Sequence, residues 1–121
     1  MIRIVLAIFL VFASVAVAKR IGPAEVKPIN FEGITYSVPP FINDDSKQNG
    51  GFLEARDSKG QLLWRVQIYK TIYNPILEQD VQDIFITTLS LDKLHKFLLM
   101  SDEKQRTFAV DLSTKKVSRL K

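Results

Sequence analysis

The chain has 121 residues, 46% of them hydrophobic and 25% charged, with a net charge of +4 and no cysteine. That length suits one domain and leaves little room for two, and a chain with no cysteine and one histidine has no disulfide, no cysteine nucleophile and no ordinary zinc site. The basic excess is mild and scattered, apart from Lys115-Lys116, Arg119 and Lys121; it lacks the aromatic-interleaved basic stripe of a nucleic-acid binder, so no nucleic-acid partner is expected.

The chain starts with Met1-Ile2-Arg3, followed by an apolar run from Ile4 to Ala18 that closes on Ala16-Val17-Ala18 before Lys19-Arg20. A basic start, a short apolar core and small residues at −3 and −1 predict a secretory signal peptide over 1–18, cut after Ala18. The run falls short of the roughly 20 residues that span a bilayer; an anchor that is never cut is the alternative. Removal of 18 residues from 121 leaves 103, without Arg3 and with no transmembrane segment. An exported protein, periplasmic or extracellular, is the expectation. None of Asn30, Asn43, Asn49 and Asn74 begins an Asn-x-Ser/Thr acceptor, and the lack of both acceptor sites and disulfides leans toward a bacterial envelope or secreted protein.

Residues 19–30 read as an extended leader, with Pro23 and Pro28 opposing a helix. A single mainly-β domain is expected over 31–121. Phe31 to Val38 alternates apolar and polar as a strand does, and Pro39-Pro40 ends it. Asn43 to Gly51 reads as a polar loop. Phe52 to Asp57 is a predicted strand, Ser58-Lys59-Gly60 a tight turn, and Gln61 to Tyr73 one long strand. On that long strand Trp64, Val66, Ile68 and Ile72 share one face, while Arg65, Gln67, Tyr69, Thr71 and Tyr73 share the other.

Asn74-Pro75 breaks the pattern. In 76–91, Leu77, Val81, Ile84, Phe85 and Leu89 fit a helical stripe, whereas Ile84 to Thr88 has the β-branched and aromatic density of a strand. The reading is a short helix near 76–82 followed by a strand over about 83–90, with a continuous helix over 76–91 as the alternative. Strands over 96–101, 106–112 and 117–120 follow, separated by polar turns. The expected fold is a small antiparallel sheet or sandwich of about six or seven strands with one short helix.

The stretches starting at Leu53 and Phe108 are alike. Aligning Ala55 with Ala109 brings Asp57 onto Asp111 and Leu62 near Val117, with the second turn one residue longer. Ala55-x-Asp57, Gly60 and Trp64 resemble the hairpin of quinoprotein-type β-propeller repeats, in which Ala-x-Asp-x-x-Thr-Gly-x-x-x-Trp recurs once per blade. The resemblance covers about a dozen residues, and the second copy lacks the Gly and the Trp. It implies a structural hairpin and no cofactor. A propeller needs four or more blades, more than this length supplies, so a compact sheet closed on itself is expected; a detached pair of blades that needs a partner is the alternative. The mature chain also looks like small exported bacterial proteins of unassigned role, which implies no activity.

Candidate chemistry is sparse. His95 lies in the turn "DKLHK" and lacks the neighbours of a catalytic base. Asn43-Asp44-Asp45 and Asp102-Glu103 do not alternate as calcium ligands do, so no metal site is assigned. Glu54, Glu78, Asp80 and Asp83 are the carboxylates a glycoside hydrolase would draw on, with Glu54 and Asp83 the best pair. Gly50-Gly51 is followed by no P-loop lysine. No enzyme activity and no cofactor are expected. The expected function is an exported binding or scaffold module that recognises a protein partner through a sheet face or edge, with Tyr69, Tyr73 and Arg65 as candidate binding residues because Tyr and Arg are enriched at hot spots. A polysaccharide-binding module stacking sugars on Tyr69 and Tyr73, or a small carboxylate hydrolase, are the alternatives.

Overall fold

The structure, a computed structural model, describes residues 22–42 and 46–121. The expected signal peptide and the residues Asn43-Asp44-Asp45 lie outside these. Two four-stranded antiparallel sheets run in simple chain order. The first holds β1 (Ile29–Phe31), β2 (Ile34–Ser37), β3 (Phe52–Arg56) and β4 (Leu62–Gln67). The second holds β5 (Ile86–Asp92), β6 (Phe97–Asp102), β7 (Thr107–Asp111) and β8 (Val117–Arg119). The mainly-β reading holds, but there are eight strands, and no helix forms among the described residues.

Two differences have local causes. The strand expected over 31–38 is a hairpin. Glu32 and Gly33 both take positive φ, 52° and 79°, which closes a two-residue turn between Phe31 and Ile34. A glutamate is an unusual residue for the first of these positions, so the turn leaves little sequence signal. The helices considered over 76–82 and 76–91 are both absent. Asn74 Oδ1 accepts from Ile76 N–H, and the Gln82 amide donates to the carbonyls of Asn74, Leu77 and Glu78. Side-chain bonds thus take up backbone groups that a helix would pair for itself.

Aspartates lead the hairpin turns. Asp57 Oδ1 accepts from Lys59 N–H and Gln61 N–H, while Gly60 N–H donates to Asp57 O. Asp102 repeats the arrangement at the β6–β7 turn with Lys104, Arg106 and Gln105. At Asp111 the β7–β8 turn is one residue longer, as the repeat predicts, and Lys115 N–H donates to Asp111 O. The left-handed position falls to Gly60 in the first turn, to Gln105 in the second and to Lys115 in the third.

One apolar core joins the sheets, with Tyr36, Leu53, Ala55 and Ile68 from the first half of the chain and Ile86, Leu98, Met100, Phe108 and Val110 from the second. Among the strands, the two sheets approach each other where β1 meets β5. The register shows how they stack. In the first sheet, the row Ile29, Tyr36, Ala55, Trp64 faces the core. In the second, the matching row Ser90, Leu99, Ala109, Ser118 lies on the opposite side from the core residues Leu91, Leu98, Val110 and Val117. The alanine face of the first sheet therefore packs on the non-alanine face of the second, so the repeated units stack in the same sense. The outer face of the first sheet is mostly polar, carrying Thr35, Glu54, Arg56, Arg65 and Gln67, with the buried Phe52 beside Gln67.

The equivalent turn aspartates have unequal energetic roles. Asp57 is a surface turn acceptor, so Asp57→Ala is expected to cost about 1 kcal/mol. Asp102 is 1% exposed and also accepts from Arg106 Nε at 2.6 Å. Asp102→Ala leaves that guanidinium without its carboxylate and is expected to cost about 3–5 kcal/mol. Urea denaturation of the two variants measures the difference.

Candidate functional site

The sheets are joined by residues 68–85, a long connection with no regular structure. Its course is set where β4 ends. Gly50 and Gly51 take φ of 75° and 83° and turn the chain just before β3, so residues beyond Ile68 have no strand to pair with. A Cβ on Gly50 would lie 2.6 Å from Ile84 O, and one on Gly51 2.7 Å from Gln48 Nε2, so the chain passes too closely here for a side chain. The missing ladder is replaced by Gln48, which is buried. Its Nε2 donates to Gly50 O and Tyr69 O, and its Oε1 accepts from Thr71 N–H and Gln67 Nε2.

Further along, Asp83 is buried; it accepts from Tyr73 Oη at 2.7 Å and from Asn49 Nδ2 at 3.0 Å. Gln82 ties the tip: besides its three donations, its Oε1 accepts from Asn74 N–H at 2.7 Å. Gln79 Nε2 donates to Lys47 O. Of these polar groups only Asp83 is buried, and the aliphatic side chains of the segment stay in solvent. Ile72 is 86% exposed, Ile76 89%, and Leu77 and Val81 56% each. The result is an apolar arch.

Beneath one side of the arch lies a groove of about 630 Å³, whose lining includes Lys70, Thr71, Ile72, Val81, Lys104 and Arg106. Arg106 is fixed from two directions. Its Nε–H donates to Asp102, and its guanidinium lies over the Tyr69 ring, 4.7 Å from the centroid. Tyr69 is anchored in turn by its hydroxyl, which donates to Ile84 O at 2.6 Å. Among the described residues, two buried side-chain polar atoms have no partner, Thr71 Oγ1 and Arg106 Nη2; both belong to residues lining this groove. A smaller cavity of about 310 Å³ under the leader is lined by Pro23, Val26, Val38, Pro40 and Phe85 among others.

The three candidate binding residues do not converge. Arg65 lies on the outer face of the first sheet, where its guanidinium and that of Arg56 grip Glu54. Tyr69 is 8% exposed, with its ring against Arg106 and Phe108, so it offers no platform for a sugar. Tyr73 is half-buried and spends its hydroxyl on Asp83. β4 stops at Gln67, so the shared strand face expected for these residues does not extend to the tyrosines. Nor do Glu54 and Asp83 meet: Asp83 lines the groove and Glu54 does not. His95 is exposed, with Nδ1 2.8 Å from Asp92 Oδ2. No group of three or more His, Cys, Asp or Glu able to hold a metal occurs among the described residues. The meeting of Arg106 and Thr71 at this groove is not legible in the sequence, because neither sits in a motif and only the path of the connection brings them together.

Comparison with protein families, with curated proteins and with solved structures gives no match.

All three tyrosines have hydroxyl pKa values above the ordinary value near 10. Burial is the main cause in each; at Tyr36 the Glu32 charge adds to it, at Tyr69 that of Asp102, and at Tyr73 the hydrogen bond to Asp83. A folded pKa above the unfolded value contributes stability that is complete below about pH 10 and is lost as pH rises through the folded values. The tyrosinate absorbance band is therefore expected to lag the unfolded-chain titration. A rise near pH 10 with the sheet signal intact would contradict this.

Proposed function

We propose that the protein is a non-enzymatic binding module, acting after export, that recognises a protein partner through the apolar arch over 72–81. The observation that carries this is the exposure of Ile72, Ile76, Leu77 and Val81 on a segment pinned by Gln82. Several large aliphatic side chains exposed on one short segment are a solubility liability, and exposed apolar surface on monomers commonly marks an interaction site. Holding the backbone in one shape before binding lowers the ordering cost of association. This moves the recognition surface from the sheet face or edge to the connection between the sheets. The strands β4 and β8 end their sheets and remain secondary docking positions for an added strand.

Affinity capture with tagged protein from the exported fraction of its native host tests the reading. An Ile72→Asp, Ile76→Asp double variant places charges at two positions that are already exposed, so it is expected to keep its circular dichroism spectrum. It is also expected to lose a stoichiometric protein partner that the unaltered chain retains. Equal retention by both proteins, or no protein partner for either, overturns the proposal.

A further inference from the structure

We infer that Asn49-Gly50 is a self-modification site that retires the arch. While the connection is latched, the fold guards the pair; when the latch opens, Asn49 converts to aspartate or isoaspartate and the latch no longer closes. Only the effect on a partner rests on the protein-binding reading above.

An asparagine side-chain amide is open to attack by the backbone nitrogen of the next residue. Here the Gly50 nitrogen forms a bond to Asn49 Cγ and the Cγ–Nδ2 bond breaks. Nδ2 leaves as ammonia, carrying the proton of the Gly50 amide. Water then opens the cyclic imide at either carbonyl, giving aspartate or isoaspartate. A following glycine leaves the attack unhindered, because it has no side chain. Of the four asparagines, Asn49 alone precedes a glycine. Asn30 precedes Phe31, Asn43 precedes Asp44, and Asn74 precedes Pro75, whose nitrogen has no proton to lose.

The latch holds both reacting groups. Gly50 N–H donates to Pro40 O at 2.8 Å, and Asn49 Nδ2 donates to Asp83 Oδ2 at 3.0 Å. Asn49 N–H donates to Tyr73 Oη, whose own proton goes to Asp83. Gly50 is buried. Neither product fits back into this arrangement. Aspartate at 49 places a carboxylate where an amide donated, against the buried Asp83, and like charges there repel. Isoaspartate adds a methylene to the main chain immediately before Gly50. The chain has no slack at that point, since even a Cβ on Gly50 would lie 2.6 Å from Ile84 O. Either product removes the buried tie between the arch and the loop before β3, leaving the exposed bond from Gln79 to Lys47 O. A loosened arch loses the advantage of being shaped before binding.

The test follows the full ¹⁵N-labelled chain through incubation at mildly alkaline pH, by peptide mass mapping and NMR. Ammonia loss is expected at Asn49 before any other asparagine. It is expected to run at least about tenfold more slowly in the folded chain than in the urea-unfolded chain, because the reaction draws on the opened fraction alone. Tyr73→Phe removes the hydroxyl that bridges Asn49 and Asp83, and is expected to speed the folded-chain reaction severalfold. Asn49→Asp supplies one product directly. It is expected to keep the amide signals of both sheets, while those of residues 70–84 shift and exchange with solvent more rapidly. Equal rates in the folded and unfolded chains, another asparagine reacting first, or unchanged arch signals in Asn49→Asp overturns the inference. Partner capture plays no part in these readouts, so the modification site and the binding reading stand or fall separately.

Discussion

The side-chain amide of Gln48 is the bond set on which the rest of this structure depends. It uses both donors of its nitrogen and accepts twice at its oxygen, reaching Gly50, Gln67, Tyr69 and Thr71 while itself buried. A buried polar group is stabilising only when its hydrogen-bonding capacity is filled, and here it is filled by the stretch of chain that leaves the first sheet. The amide therefore acts as a short substitute strand. It ends the pairing of β4, satisfies the backbone as it turns away, and directs Tyr69 into the core, where its ring supports Arg106. Without disulfides, a chain of this size relies on such side-chain to backbone closures to fix the course of its long connection.

The hairpins were legible in the sequence because their signals are local. Alternation located β3, β6, β7 and β8 to within a residue or two, and the likeness between Ala55-x-Asp57 and Ala109-x-Asp111 anticipated the longer second turn. The β1–β2 turn was not legible, because Glu32 takes the left-handed conformation where Asn or Gly would have announced it. The connection was misread for a different reason. The spacing of Leu77, Val81 and Ile84 does have a helical period, but periodicity records which side chains share a side and not whether the backbone amides are free. Gln82 and Asn74 occupy those amides and carbonyls, and the apolar side chains that a helix would have buried stay in water.

The candidate site illustrates the same limit. Tyr and Arg on an apparent strand face were reasonable hot-spot residues by composition, yet position in the fold turned Tyr69 into a support for Arg106 and gave Arg65 to Glu54. Arg106 looks in sequence like any charged turn residue. Its guanidinium is unequally satisfied, with Nε held by a buried aspartate and Nη2 buried without a partner, and that is a property of packing alone.

The same-sense stacking of the two sheets has one more consequence. A pair related by a twofold axis buries like against like and is finished; a pair related by a repeated step has a head and a tail, and nothing in the step itself says where to stop. Termination then falls to surface chemistry, as it does in repeat proteins whose end units carry polar outer faces. At one end of this pair stand Glu54, Arg56 and Arg65 in place of aliphatic residues; at the other, Ser90 and Ser118 flank Leu99 and Ala109. The charged end is a firm stop, because a further sheet would have to strip the remaining water from Arg56 and Arg65. The hydroxyl-rich end is a softer one, and the two ends of the molecule differ in how strongly each resists further growth.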